Sequence, residues 1–231
     1  TKSTTDSKKL KDVAGNELAT TTSSVSVDLT NDETGPTVVS VTSSDDDATP
    51  FKLGDERTLD IEVVFSEVVN VNVNSGTPRL VLETGDNDTP ATYSGGTGTN
   101  TLVFSYDIVQ NDVSPDLNYE STTALELKGG TIKDVAGNPA GNGTTVSLPA
   151  LNAAGALAQN KDFVLDAKLP TISSAIADGG TKTIYLLMSE AVTGAPDNGD
   201  FTVTVGTQTN AVTGYTIGTK EVDGVDVPAI A

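Results

Sequence analysis

Leu59-Asp60-Ile61-Glu62-Val63-Val64-Phe65 is the stretch on which the fold turns. Successive side chains of an extended chain point to opposite faces. Leu59, Ile61, Val63 and Phe65 therefore share one face, and Asp60, Glu62 and Val64 share the other, which is the pattern of a half-buried β-strand. Leu102, Phe104 and Tyr106 repeat it. Working outward, clusters of Gly, Pro, Asn, Asp, Ser and Thr interrupt the chain about every ten residues, a spacing that predicts short antiparallel strands. Seven are expected: A (residues 37–42), B (58–66), C (78–84), D (90–94), E (100–108), F (122–127, continued by Thr131-Ile132) and G (144–148 or 160–165). A helical apolar period is absent apart from a weak Ala-rich stretch at 152–159. The glycine-rich Gly95-Gly96-Thr97-Gly98 lies between two strands rather than before a helix, so it reads as a hairpin turn and not a phosphate loop. An all-β fold of antiparallel β-sandwiches is the expectation.

Composition narrows the function. The 231 residues are 36 % hydrophobic and only 4 % aromatic, so the cores must be thin and filled by Val, Leu and Ile. The net charge of −19 repels nucleic acid and anionic membranes and attracts cations. His and Cys are both absent, which removes disulfides, thiol nucleophiles, zinc sites and the commonest catalytic base. A carboxylate-pair glycosidase needs an aromatic-lined sugar cleft, and five Tyr with no Trp supply little of one. Catalysis is not expected. No apolar run reaches the roughly 18–20 residues of a membrane-spanning helix. No signal peptide is present in the 231 residues, but the sequence opens inside a repeat, so this says nothing about secretion.

The repeat is visible in three echoes. KDVAGN occurs at residues 11–16 and again at 133–138, 122 positions apart. Phe65-Ser66-Glu67-Val68-Val69 is echoed 123 positions later by Met188-Ser189-Glu190-Ala191-Val192. Gly35-Pro36-Thr37 is echoed 134 positions later by Leu169-Pro170-Thr171. The same order in both copies implies one kind of module used in tandem, as in chains that work by being long and stiff. One complete module is expected at 35–167. Residues 1–34 hold KDVAGN and a final strand at 24–29, the back of a preceding module. Residues 168–231 hold the front of a following one. Head and tail together make 98 residues, close to one module. The split is either an arbitrary boundary or a device by which the head of one copy pairs with the tail of the next.

The segments KLGDERTLDIEVVFSEVV, GTPRLVLETG, ATYSGGTGTNTLVFSYDI, LNYESTTALELKGGTIKDVAGN and NKDFVLD resemble the bacterial immunoglobulin-like repeats of very large surface adhesins. SEAVTGAPDNGDFTVTVG and KSTTDSKKLKDVAGNEL resemble the related Swm-type repeat of giant cell-surface proteins. The resemblance spans nearly the whole chain, and its specificity lies in the order of the motifs. It implies a secreted, non-catalytic extender at the cell surface whose junctions are stiffened by calcium. The neighbouring repeats of the same protein would then be its partners, without nucleic acid or membrane insertion. A filament or sheath subunit assembling head to tail is the alternative. The usual acidic-Thr-Thr-x-Pro linker departs here to Asp32-Glu33-Thr34-Gly35-Pro36, and at the second junction to Asp166-Ala167-Lys168-Leu169-Pro170, where Lys168 disfavours a cation.

Calcium takes six to eight oxygen ligands from carboxylates, amides and carbonyls. In a sandwich alternate loops fall at alternate poles. The B–C loop (67–74) and F–G loop (134–138) then share the N-terminal pole with the linker, which makes Asp32, Glu67 and Asp134 the expected ligands, with Glu33 and Asn138 as weaker ones. The KDVAGN turn also has a purely structural role open to it, with Gly137 at positive φ and Asp134 bonding nearby N–H groups. At the second junction Asp166 and Glu190 need a partner equivalent to Asp134, and Asp12 is the residue that matches it. The A–B, C–D and E–F loops gather Asp45, Asp46, Asp47, Asp55, Asp86, Asp88, Asp112 and Asp116 at the opposite pole, as a solvated acidic surface or a further cation site.

Overall fold

A computed structural model describes residues 13, 14, 16, 32–46, 49–55, 58–194, 202–205, 207–211 and 214–231. Its first region runs β1 (Val38–Ser43), β2 (Phe51–Lys52), β3 (Leu59–Asn72), β4 (Arg79–Val81), β5 (Pro90–Gly95), β6 (Thr99–Tyr106), β7 (Val113–Ser114), β8 (Leu125–Glu126), β9 (Thr131–Lys133), β10 (Thr145–Val146), α1 (Leu157–Asn160) and β11 (Leu165–Asp166). The alternation that starts at Leu59 fixes the centre. β3 lies between β1 and β6 in an antiparallel sheet ordered β1-β3-β6-β5-β4-β8-β10, and β9 adds to the far end of β3. Leu59, Ile61, Val63 and Phe65 are buried, as are Leu102, Phe104 and Tyr106 opposite them. Leu80, Leu82, Leu117, Tyr119, Leu125 and Ile132 close the same core. Full burial of each such side chain contributes about 1.5–3 kcal/mol.

A second, three-stranded sheet sits at the pole away from the linker: β11 runs parallel to β2 and antiparallel to β7. Phe51 and Phe163 meet edge to face beneath it, with ring centroids 5.5 Å apart. The Ala-rich stretch forms one helical turn and serves the sheet edge. Val41 N–H donates to the carbonyl of Gly155 at 2.8 Å, and Asn160 Nδ2 donates to the carbonyl of Val41 at 2.9 Å. The outer edge of β1 is thus covered, which removes a template for unwanted strand pairing.

Several strand expectations need correction. Strand B does not stop at residue 66 but runs to Asn72 across a bulge: β3 pairs with β6 at Val64↔Thr101 and resumes only at Val69↔Thr99. Ser66 and Glu67 break the apolar alternation, and the extra residues loop out where they stand. Strand C shortens to Arg79–Val81 and strand F to Leu125–Glu126, with Thr131–Lys133 a separate strand on β3. Both candidates for strand G exist, β10 in the large sheet and β11 in the small one. β2 and β7 are two residues long and carry no alternation to read.

The second region contains β12 (Ile172–Asp178), β13 (Thr183–Met188), β14 (Thr202–Val205), β15 (Gln208–Ala211), β16 (Ile217–Val222) and β17 (Val225–Ile230). Its four-stranded sheet is ordered β12-β13-β17-β16, and β14 pairs with β15. The echoes become one structural device here. Ser66 N–H donates to Thr37 O at 2.8 Å and Thr37 N–H donates to Ser66 Oγ at 3.1 Å. Ser189 N–H likewise donates to Thr171 O at 2.8 Å, and Thr171 N–H to Ser189 Oγ at 2.9 Å. Val38↔Phe65 followed by a register shift to Ser40↔Val64 is matched by Ile172↔Met188 followed by a shift to Ser174↔Leu187. Of residues 1–34, Val13 and Ala14 form an exposed turn in the first KDVAGN, while the strand expected at 24–29 and Asp12 lie outside the described residues.

Candidate metal centre

Three elements that are distant in sequence deliver a carboxylate each to the N-terminal pole. Asp32 comes from the linker, Glu67 from the bulge in β3 and Asp134 from the turn after β9. One oxygen of each lies within 4.8 Å of the other two. Oxygens bound to one calcium at about 2.3–2.6 Å stand at most about 5.2 Å apart, so this spread fits a single ion. Asp32 is exposed, Glu67 half-buried and Asp134 only 3 % exposed.

The KDVAGN turn is built around Asp134. Its Oδ1 accepts N–H bonds from Gly137 at 2.6 Å and Asn138 at 2.7 Å, and its Oδ2 accepts from Asn138 Nδ2 at 2.7 Å. Gly137 has φ of 102°, a conformation open to glycine and strained for other residues. The amide of Asn138 also donates to the backbone carbonyl of Asp32 at 2.7 Å, tying linker to turn. At Gly35 a Cβ would stand 2.2 Å from the carbonyl of Pro139, so the linker lies flush against the turn because residue 35 has no side chain. Asn138 acts through its N–H groups as a clamp between the Asp134 carboxylate and the backbone of the linker at Asp32.

The charges are not equivalent. Loss of solvent raises the pKa of Glu67, and the neighbouring charges of Asp134 and Asp32 raise it further. Burial alone would raise Asp134 too, but the side-chain amide of Asn138 and the backbone N–H groups of Asn138, Gly137 and Ala136 overcome it and hold Asp134 below its ordinary value. Asp134 is a fixed anion, and Glu67 is the member that gives way to protons. A divalent cation placed among the three would relieve the repulsion that raises Glu67.

Glu33 is exposed on the same linker, and its carboxylate is not one of the three. Asp166 is exposed and, among the described residues, accepts a long 3.4 Å contact from the N–H of Lys168, and Glu190 is half-buried beside Ser189. Among the described residues neither belongs to a group of three possible ligands. The opposite pole does gather the loops expected there, through β2, β7 and β11, but among the described residues no three of its acidic side chains form a group of possible ligands. Asp45 accepts from the N–H of Asp60, Asp55 from that of Lys52 and Asp88 from that of Thr84. Asp112, 4 % exposed, accepts from Tyr106 Oη at 2.6 Å, Thr89 Oγ1 at 3.0 Å and the N–H of Val109 at 3.3 Å. Of the two readings open for this pole, an acidic surface and a further cation site, the described residues hold no group of three ligands that would favour the second. The Thr37–Ser66 pair was missed, although both residues lie inside the repeated motifs.

Among the described residues no helix is long and apolar enough to cross a membrane. Searches against protein-family models, curated proteins and solved structures find no match to this chain.

Proposed function

We propose that this chain is a non-catalytic spacer from a large secreted bacterial surface adhesin, whose modules are held straight by calcium at their junctions. The observation that carries the reading is the convergence of Asp32, Glu67 and Asp134 where the linker enters the module. One of these residues belongs to the linker itself, so an ion bound there fixes the direction in which the preceding segment leaves. The repeated Thr–Ser pairing at 37/66 and 171/189 supports a tandem design in which each module begins the same way. The lack of His and Cys and the −19 charge favour mechanics over chemistry and a cation over a nucleic acid as partner.

Small-angle scattering of the chain in calcium and then in chelator tests this reading. Extended, well-defined dimensions with calcium and a broader distribution without it are expected. Identical profiles in both conditions, with unchanged thermal stability, would rule out calcium as the stiffener.

A further inference from the structure

The front of the second region repeats the front of the first, and although Leu187, Met188, Ala229 and Ile230 are buried, several of its core-facing side chains are less covered among the described residues. Ile184, Leu186 and Met188 stand in the register of Ile61, Val63 and Phe65, through Ala177↔Ile184, Ala175↔Leu186 and Ile172↔Met188 against Ser43↔Ile61, Val41↔Val63 and Val38↔Phe65. Ile61 and Val63 are fully buried, whereas Ile184 and Leu186 are only half-buried and Ile172 and Val225 are 52 % and 63 % exposed. The edges differ as well. β1 is covered by Gly155 and Asn160, while among the described residues no backbone bond from outside its sheet reaches Ala175, the counterpart of Val41.

We propose that the less covered sheet β12-β13-β17-β16 is a docking surface for residues 11–29 of a second copy of this chain. In the first region the covering segment is the one that carries KDVAGN, with β9 on β3 before it and β10 and β11 after it. The chain holds that motif once more, at 11–16, followed by the alternating Val25, Val27 and Leu29. Val13 and Ala14 present the motif as an exposed turn. Lys2, Lys8 and Lys9 lead into this segment and Lys11 opens it, four of the chain's 13 basic residues, while residues 168–231 carry three lysines against seven carboxylates. The contact is head to tail between unlike surfaces, so each docked copy leaves a free head and a free tail, and we take open-chain growth as the form it adopts. Docking would also bring Asp12 to Asp166 and Glu190 as Asp134 stands to Asp32 and Glu67, and this calcium dependence alone rests on the function proposed above.

Sedimentation velocity of the full chain over a range of concentrations, with calcium and with chelator, tests the proposal. The expected result is a mass that grows past the dimer with concentration, is lost on deleting residues 1–31, and is weakened by reversing Lys8, Lys9 and Lys11 to Glu. A monomer at every concentration overturns it, as does association that survives the deletion. Association that needs residues 1–31 but ignores the chelator keeps the docking and removes calcium from the second junction. Loss of calcium binding in Asp134→Asn with unchanged association separates the two sites.

Discussion

Both poles of the first region carry carboxylates that accept local hydrogen bonds, but among the described residues only the linker pole brings three of them together. At the pole away from the linker Asp55 and Asp88 accept backbone N–H groups within their own turns, while Asp45 and Asp112 accept from Asp60, Tyr106 and Thr89 on other segments. At the linker pole Asp32, Glu67 and Asp134 face one another, and Glu67 bears the cost as a raised pKa. Acidic composition therefore does not identify a cation site. What distinguishes one is oxygen atoms from separate elements converging on a common point.

The comparison is open to attack from either side, and the largest effect belongs to the satisfied pole. Asp112→Ala leaves Tyr106 and Thr89 without their buried acceptor and is expected to cost about 3 kcal/mol. Urea denaturation would measure it, and the loss should be the same with calcium or chelator. Next comes the linker pole, where calcium at a hundredfold excess over Kd should stabilise the chain by about 2.7 kcal/mol. In Asp134→Asn that calcium-dependent gain should vanish from the thermal unfolding curve. Gly137→Ala forces a side chain into the φ of 102° that shapes the turn and is expected to cost about 1–2 kcal/mol by the same measurement. Since the alanine meets no atom within 4 Å, the loss would report backbone strain and not a clash.

The smallest effect is one of pH. Glu67 has a folded pKa above its ordinary 4.5, so the native state holds the proton more tightly than the unfolded chain. In chelator its contribution is most favourable below 4.5 and declines as pH rises through the raised value, by under about 1 kcal/mol given its partial exposure. Asp134, held below its ordinary 3.8, acts in the other direction: the stability it contributes is present above 3.8 and is lost as pH falls further. With calcium bound Glu67 must stay ionised, so acid should release the ion and reverse the slope that Glu67 gives in chelator. Glu67→Gln should flatten both trends in a series of denaturation curves across this range.

Much of the fold was legible because one period controls it. The seven residues from Leu59 to Phe65 announce a buried strand, and the burial follows them position by position. The bulge was not legible, since Ser66-Glu67-Val68 reads simply as a strand end, yet it is what turns Glu67 to the linker pole. The convergence of Asp32, Glu67 and Asp134 was readable from topology, because alternate loops must fall at alternate ends. At the opposite pole the acceptor roles of Asp45 and Asp112 were not legible, because their donors Asp60 and Thr89 lie 15 and 23 residues away along the chain. β2 and β7 are held by neighbours far along the chain, which a local pattern does not encode.

Calorimetric titration of calcium into the intact chain and into Glu67→Gln, side by side, tests the centre of this account. One site lost or strongly weakened by the substitution, with proton release rising as the pH is lowered toward the pKa of Glu67, is the predicted outcome. Superimposable isotherms for the two proteins, or no heat of binding in either, would contradict it.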